Sequence, residues 1–125
     1  MNVKIDTKEK FTVITPQVSK LTANMTVELS NLLLPYLQKD IPHIILKMTA
    51  ILELDELAAN WLVKMQQQFS ENNCSFVICE LQPTIVKNLD QLEIVELLNL
   101  TPTESEAWDI IQMEEIEREL LEGED

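Results

Sequence analysis

Glycine is nearly missing from this chain: the one glycine, Gly123, lies near the C-terminal end. That excludes a glycine-rich loop of the kind that cradles phosphates, and it leaves turns to Asn, Asp and Pro. Histidine occurs once, as His43, with no Cys or His at ligand spacing. Neither a metal site nor a nucleophile–histidine–acid triad is expected from that composition. Cysteine occurs twice, as Cys74 and Cys79. Their odd separation places them on opposite faces of a strand, where they cannot share one metal, and without a leader both read as reduced thiols. No apolar run approaches the roughly 20 residues of a membrane span, and the N-terminus shows no basic-then-apolar signal. A soluble cytoplasmic protein without membrane insertion is expected. Basic residues are also few, 9 Lys and Arg against 22 Asp and Glu, for a net charge of −13. Residues 101–125 hold ten of those acids and one Arg. A field of this sign repels phosphate backbones, so nucleic acid is excluded as a partner.

What the chain does have is a core. Of its 125 residues, 46% are hydrophobic, which suits one folded domain over residues 1–121 with an acidic tail at 122–125. Val3-Lys4-Ile5 and Phe11-Thr12-Val13-Ile14-Thr15 read as a strand pair closed in a hairpin. Met25, Leu29, Leu32, Leu33 and Tyr36 mark one face of a helix starting at Thr22 or Asn24, which Pro35 kinks or ends. His43 to Met48 reads as a buried strand. A helix then follows Asp55, with Leu57, Ala58, Trp61, Leu62, Met65 and Phe69 at helical steps and an exit at Asn72-Asn73. Asp55 is a suitable N-cap, and Glu56 sits where the helix dipole favours an anion. Ser75 to Cys79 is a second buried strand, and Pro83 opens a short helix faced by Ile85, Val86 and Leu89. Part of Ile94–Leu100 reads as a short edge strand. Thr103-Glu104-Ser105-Glu106 is a capping box for a last helix, with Ala107, Ile110, Ile111, Met113, Ile116 and Leu120 as its apolar residues. Its glutamates, Glu115 among them, are read as solvated, so Glu115→Ala is expected to be nearly neutral. The order β-β-α-β-α-β-α-β-α predicts an α/β fold: a mixed four- or five-stranded sheet, parallel in the middle and covered by helices.

The chain also resembles a known family, the STAS domain of anti-sigma-factor antagonists and sulfate transporters. The family's central signature, a hydrophobic strand and a loop into Asp-Ser-Ser-Gly-Leu at a helix start, is matched in register by Leu54-Asp55-Glu56-Leu57-Ala58-Ala59-Asn60-Trp61-Leu62-Val63. Its second segment, an apolar strand running through a turn into a helix, resembles Phe76-Val77-Ile78-Cys79-Glu80-Leu81-Gln82-Pro83-Thr84-Ile85-Val86. Thr103-Glu104-Ser105-Glu106-Ala107 fits the start of the family's last helix, and the resemblance covers roughly residues 2 to 121. Each motif is degenerate; their order and spacing carry the likeness.

The resemblance implies a non-enzymatic regulatory module that works by binding protein partners, with no cofactor. The contact candidates it carries over are Ser19, Asp55, Glu56, Leu57 and Ala58. The partner is expected to be like an anti-sigma serine kinase; the alternative is a subunit of a transporter complex of the lipid-exporting type. The departures from the pattern matter. Glu56 stands where antagonists carry the Ser or Thr that the kinase phosphorylates, and a carboxylate has no hydroxyl to modify. Leu57 and Ala58 replace the next Ser and Gly. Lys47 stands where the central strand usually has an acid, and the turn after the second strand reads Pro16-Gln17-Val18-Ser19.

Overall fold

Continuous apolar runs, Ile44-Ile45-Leu46 and Phe76-Val77-Ile78-Cys79, build the centre of the molecule. The computed structural model describes residues 1–123. Its main sheet has five strands: β1 (Val3–Thr7), β2 (Thr12–Pro16), β4 (Ile44–Lys47), β6 (Phe76–Cys79) and β7 (Leu100–Thr101). They lie in the order β1-β2-β4-β6-β7. The β1–β2 pair is antiparallel, as a hairpin requires, and every other neighbour is parallel. A second, two-residue parallel pairing joins β3 (Lys20–Leu21) to β5 (Glu53–Leu54). Four α-helices connect the strands: α1 (Ala23–Leu33), α2 (Glu56–Glu71), α3 (Pro83–Gln91) and α4 (Glu104–Gly123). The mixed α/β order expected from the pattern is therefore present, with β3 and β5 added.

The side-chain period of two divides the interior into two layers. Ile14, Ile44, Leu46, Phe76 and Ile78 face one side and join the apolar faces of α1, α2 and α3. Val13, Ile45, Val77 and Cys79 face the other, where Phe11, Ala107 and Ile111 close a smaller cluster. Cys74 belongs to the first cluster and Cys79 to the second, so the two thiols do lie on opposite sides. Both are free and buried. Burial, with Glu80 and Glu104 nearby, pushes the Cys79 thiol up to about 12, so it stays protonated and unreactive.

Local rules explain most element ends. Pro35 removes a backbone donor, and α1 gives way at Leu34 to a 3-10 turn that runs to Gln38. With no glycine to take left-handed conformations, Asn73, Glu80 and Glu93 do so, at φ of 57°, 55° and 60°. Asn73 lies just past α2, where such a residue ends a helix. Thr103 caps α4, its Oγ1 accepting from the Glu106 N–H at 3.1 Å.

Four expectations need correction. Leu57, read with the apolar residues of α2, is 67% exposed, because helical phase turns it away from the face that Ala58, Trp61, Leu62, Met65 and Phe69 present to the core. Val86 likewise stays exposed on α3, while Ile85 and Leu89 are buried. On α4 only Ala107 and Ile111 are buried, whereas Met113, Ile116 and Leu120 are exposed. The second half of α4 is held by polar groups instead. Buried His43 accepts the Ser75 N–H at Nδ1 (3.0 Å), which leaves Nε2 to donate to Glu115 at 2.9 Å. Arg118 donates to the Ser75 hydroxyl at 3.0 Å. Glu115 is thus a tertiary contact as well as a solvated residue, and its truncation is expected to cost stability. The acidic tail expected at 122–125 falls partly outside the described residues; Glu122 and Gly123 belong to α4.

Candidate functional site

The site candidates converge at the start of α2, and Asp55 is its hub. The Asp55 carboxylate accepts the Ala58 N–H at 2.8 Å with Oδ1 and the Ala23 N–H at 3.1 Å with Oδ2. One side chain therefore caps α1 and α2 together. Thr22, a candidate cap for α1, occupies the N-cap position, but its side chain makes no capping bond. A carboxylate between two helix N-termini is also favoured by both dipoles. The result is a rigid corner in which the two helix starts hold a fixed relation.

Ser19 reaches the same corner through its backbone. Its carbonyl accepts from the Leu52 and Glu53 N–H groups at 2.7 and 3.1 Å, and the Leu21 carbonyl accepts from the Asp55 N–H at 3.2 Å. The β3–β5 pairing thus docks the segment before α1 against the segment before α2. Among the five candidates, Ser19, Glu56 and Leu57 are exposed, and Asp55 is half-buried. Ala58 is fully buried and contributes only its N–H. Glu56 makes no ion pair or side-chain hydrogen bond among the described residues, so its charge is presented to solvent.

Residues that the sequence reading did not single out extend this surface. Leu52, between the Ser19-bound backbone and β5, is 56% exposed. Lys20 and Glu53, register partners in β3 and β5, form a loose ion pair at 3.9 Å. Together with Leu52, Asp55, Thr84 and Asn88 they line a groove of about 350 Å³ between the two-stranded pair and α3. Leu52 lies in the run Ala50-Ile51-Leu52-Glu53-Leu54, where nothing in the sequence separates it from buried Ile51 and Leu54. A two-residue pairing has no pattern of its own.

The departure at Lys47 has a local explanation. At the C-terminal end of β4 its ammonium lies 3.4 Å from Glu80 and 3.5 Å from Glu104. Partial burial disfavours the charge, but the two carboxylates outweigh it and the pKa is raised. Thr49 also donates to Glu80, at 3.2 Å, and Gln82 donates to the Thr49 carbonyl at 2.7 Å. Glu80 itself has a left-handed backbone, at φ 55°. Among the described residues, no three His, Cys, Asp or Glu side chains converge in a way that could hold a metal ion, and no helix is long and apolar enough to cross a membrane.

This arrangement, a mixed sheet with an acid-capped helix start at its edge, is that of a known class. The family model of the STAS domain matches residues 2–107, and the chain belongs to that family. Solved structures agree on the fold. A putative anti-sigma factor antagonist from Thermotoga maritima superposes with a TM-score of 0.77 at 14% identity, over 88% of this chain and 94% of its own. A STAS domain protein from Planctomyces limnophilus gives 0.74 at 18% identity, over 88% and 97%. A serine-to-glutamate variant of RsbS from Moorella thermoacetica gives 0.74 at 12% identity, over 90% and 96%. No curated protein sequence matches this one.

Proposed function

We propose that this protein is a non-enzymatic regulatory module that binds a protein partner at the start of α2, in the manner of anti-sigma-factor antagonists. The observation that carries the reading is the double cap at Asp55. It fixes the corner while Glu56 and Leu57 are exposed, with no partner for the Glu56 carboxylate among the described residues. A rigid surface that combines an exposed apolar residue with a free charge suits a binding anchor better than a catalytic group. Membership of the STAS family and the likeness to antagonist structures support the same reading.

At Glu56 the module is locked. A phosphoserine carries about −1.5 to −2 charges and three acceptor oxygens, whereas Glu carries one charge on a planar head. The residue is a partial and permanent copy of a phosphorylated state, and reversible phosphorylation at this position is ruled out by its chemistry.

The test is affinity purification from the native cell with the wild-type chain, Leu57→Asp and Glu56→Ser. Recovery of a kinase-like ATPase that Leu57→Asp abolishes and Glu56→Ser strengthens is the expected result. A transporter ATPase recovered through the same corner would assign the protein to a transport complex instead. A partner bound equally by all three chains would remove the α2 start from the interface.

A further inference from the structure

The family match ends at residue 107, yet α4 continues to Gly123, and its outer face is built in an unusual sense. The face turned to the body carries Ala107 and Ile111 and then the polar anchors Glu115 and Arg118. At about 100° per residue, Met113, Ile116 and Leu120 fall on the opposite side of the helix. They are 60%, 57% and 64% exposed. A helix that only covered a sheet would carry these residues inward and its charges outward. Here the second half is reversed, with polar bonds inside and an apolar stripe outside.

Charge states what can cover that stripe. Asp109 and Glu117 border it and are exposed, and Glu106 lies at its N-terminal end. Arg118, the one basic residue in 101–125, is turned away toward Ser75. A second copy of this chain would set the same acids against one another, and an anionic membrane surface would be repelled. We propose that the outer face of α4 is a docking surface for a basic amphipathic helix of a partner protein. Such a helix lays apolar residues at i, i+3 and i+7 along the Met113–Ile116–Leu120 stripe, while flanking Lys or Arg meet the bordering acids. This surface is separate from the α2 corner, so each can fail without the other.

The probe is a synthetic fluorescent peptide with leucines at helical spacing and lysines on the flanks, titrated into the full chain. A control peptide carries glutamates in place of the lysines. The expected result is binding of the basic peptide alone, weakened at least ~10-fold by the double substitution Ile116→Ser, Leu120→Ser, whose sites are hot-spot candidates. Both positions are exposed, so the melting temperature of the variant should match wild type and show that the fold is intact. Affinity should also fall as NaCl rises from about 0.05 to about 0.5 M, because screening shortens the reach of the acids. No binding of the basic peptide, equal binding by the double variant, or equal binding of the acidic peptide overturns the proposal. Self-association in sedimentation that the double variant abolishes also overturns it, since the occupant would then be a second copy.

Discussion

At the scale of single residues, two side chains do more than their positions in the sequence suggest. Asp55 satisfies donors on two helices, so its loss removes two caps, each worth about 0.5–2 kcal/mol. Asp55→Ala should therefore lower stability more than Thr103→Ala, which removes one. Asp55→Asn should fall between wild type and Asp55→Ala, because its single carbonyl oxygen can serve one N–H while its amide faces the other. Urea midpoints for the three variants check that order. His43 is the second case. Burial pushes its pKa below the ordinary 6.5, with Glu115 pulling it up and Arg118 pushing it down. On lowering the pH the unfolded chain takes up the proton first. The stability tied to neutral His43 is thus fully present above about pH 6.5 and is lost as pH falls toward the folded value. Wild type should lose more of its urea midpoint between about pH 7 and about pH 5.5 than His43→Gln does. Truncating the partner, Glu115→Ala, should cost about 1 kcal/mol through the lost hydrogen bond.

At the scale of elements, α2 shows how one helix serves both packing and presentation. Leu62 is fully buried in the larger core cluster, whereas Leu57, five residues earlier, is exposed. Leu62→Ala should cost about 2–5 kcal/mol by cavity formation. Leu57→Ala should stay within about 0.5 kcal/mol of wild type, as surface changes do. Thermal melts of the pair measure the contrast. A large loss on Leu57→Ala would mean that the residue packs against the body and is not free to meet a partner. α4 divides its roles along its length. Its first turns dock by stacking, with Trp108 on Phe11 at 4.9 Å between ring centroids, and its later turns by hydrogen bonds through His43 and Ser75.

At the scale of the whole molecule, the governing quantity is charge. A net charge of −13 on 125 residues, concentrated in the last fifth, destabilises the compact state by self-repulsion. Added salt should raise the melting temperature, since at about 0.1 M ionic strength the screening length is already about 10 Å. Calorimetric scans at low and high NaCl check the sign. A melting temperature that falls with salt would mean that ion pairs such as Lys47 with Glu80 and Glu104 outweigh the repulsion.

The order of elements was legible because each signal was local. Pro35, the Asn72-Asn73 exit, the Thr103 cap and the continuous apolar strands act within a few residues, and each is seen where it was read. So was the position of Asp55 before a helix. What the tertiary structure alone decided are relations between distant segments. That Asp55 also caps α1, 32 residues away, depends on the β3–β5 pairing, which is too short to leave a pattern. The reversal of α4 depends on His43 and Ser75 meeting Glu115 and Arg118 across the sheet; apolar spacing along a helix names a stripe but does not say which side of it meets the body.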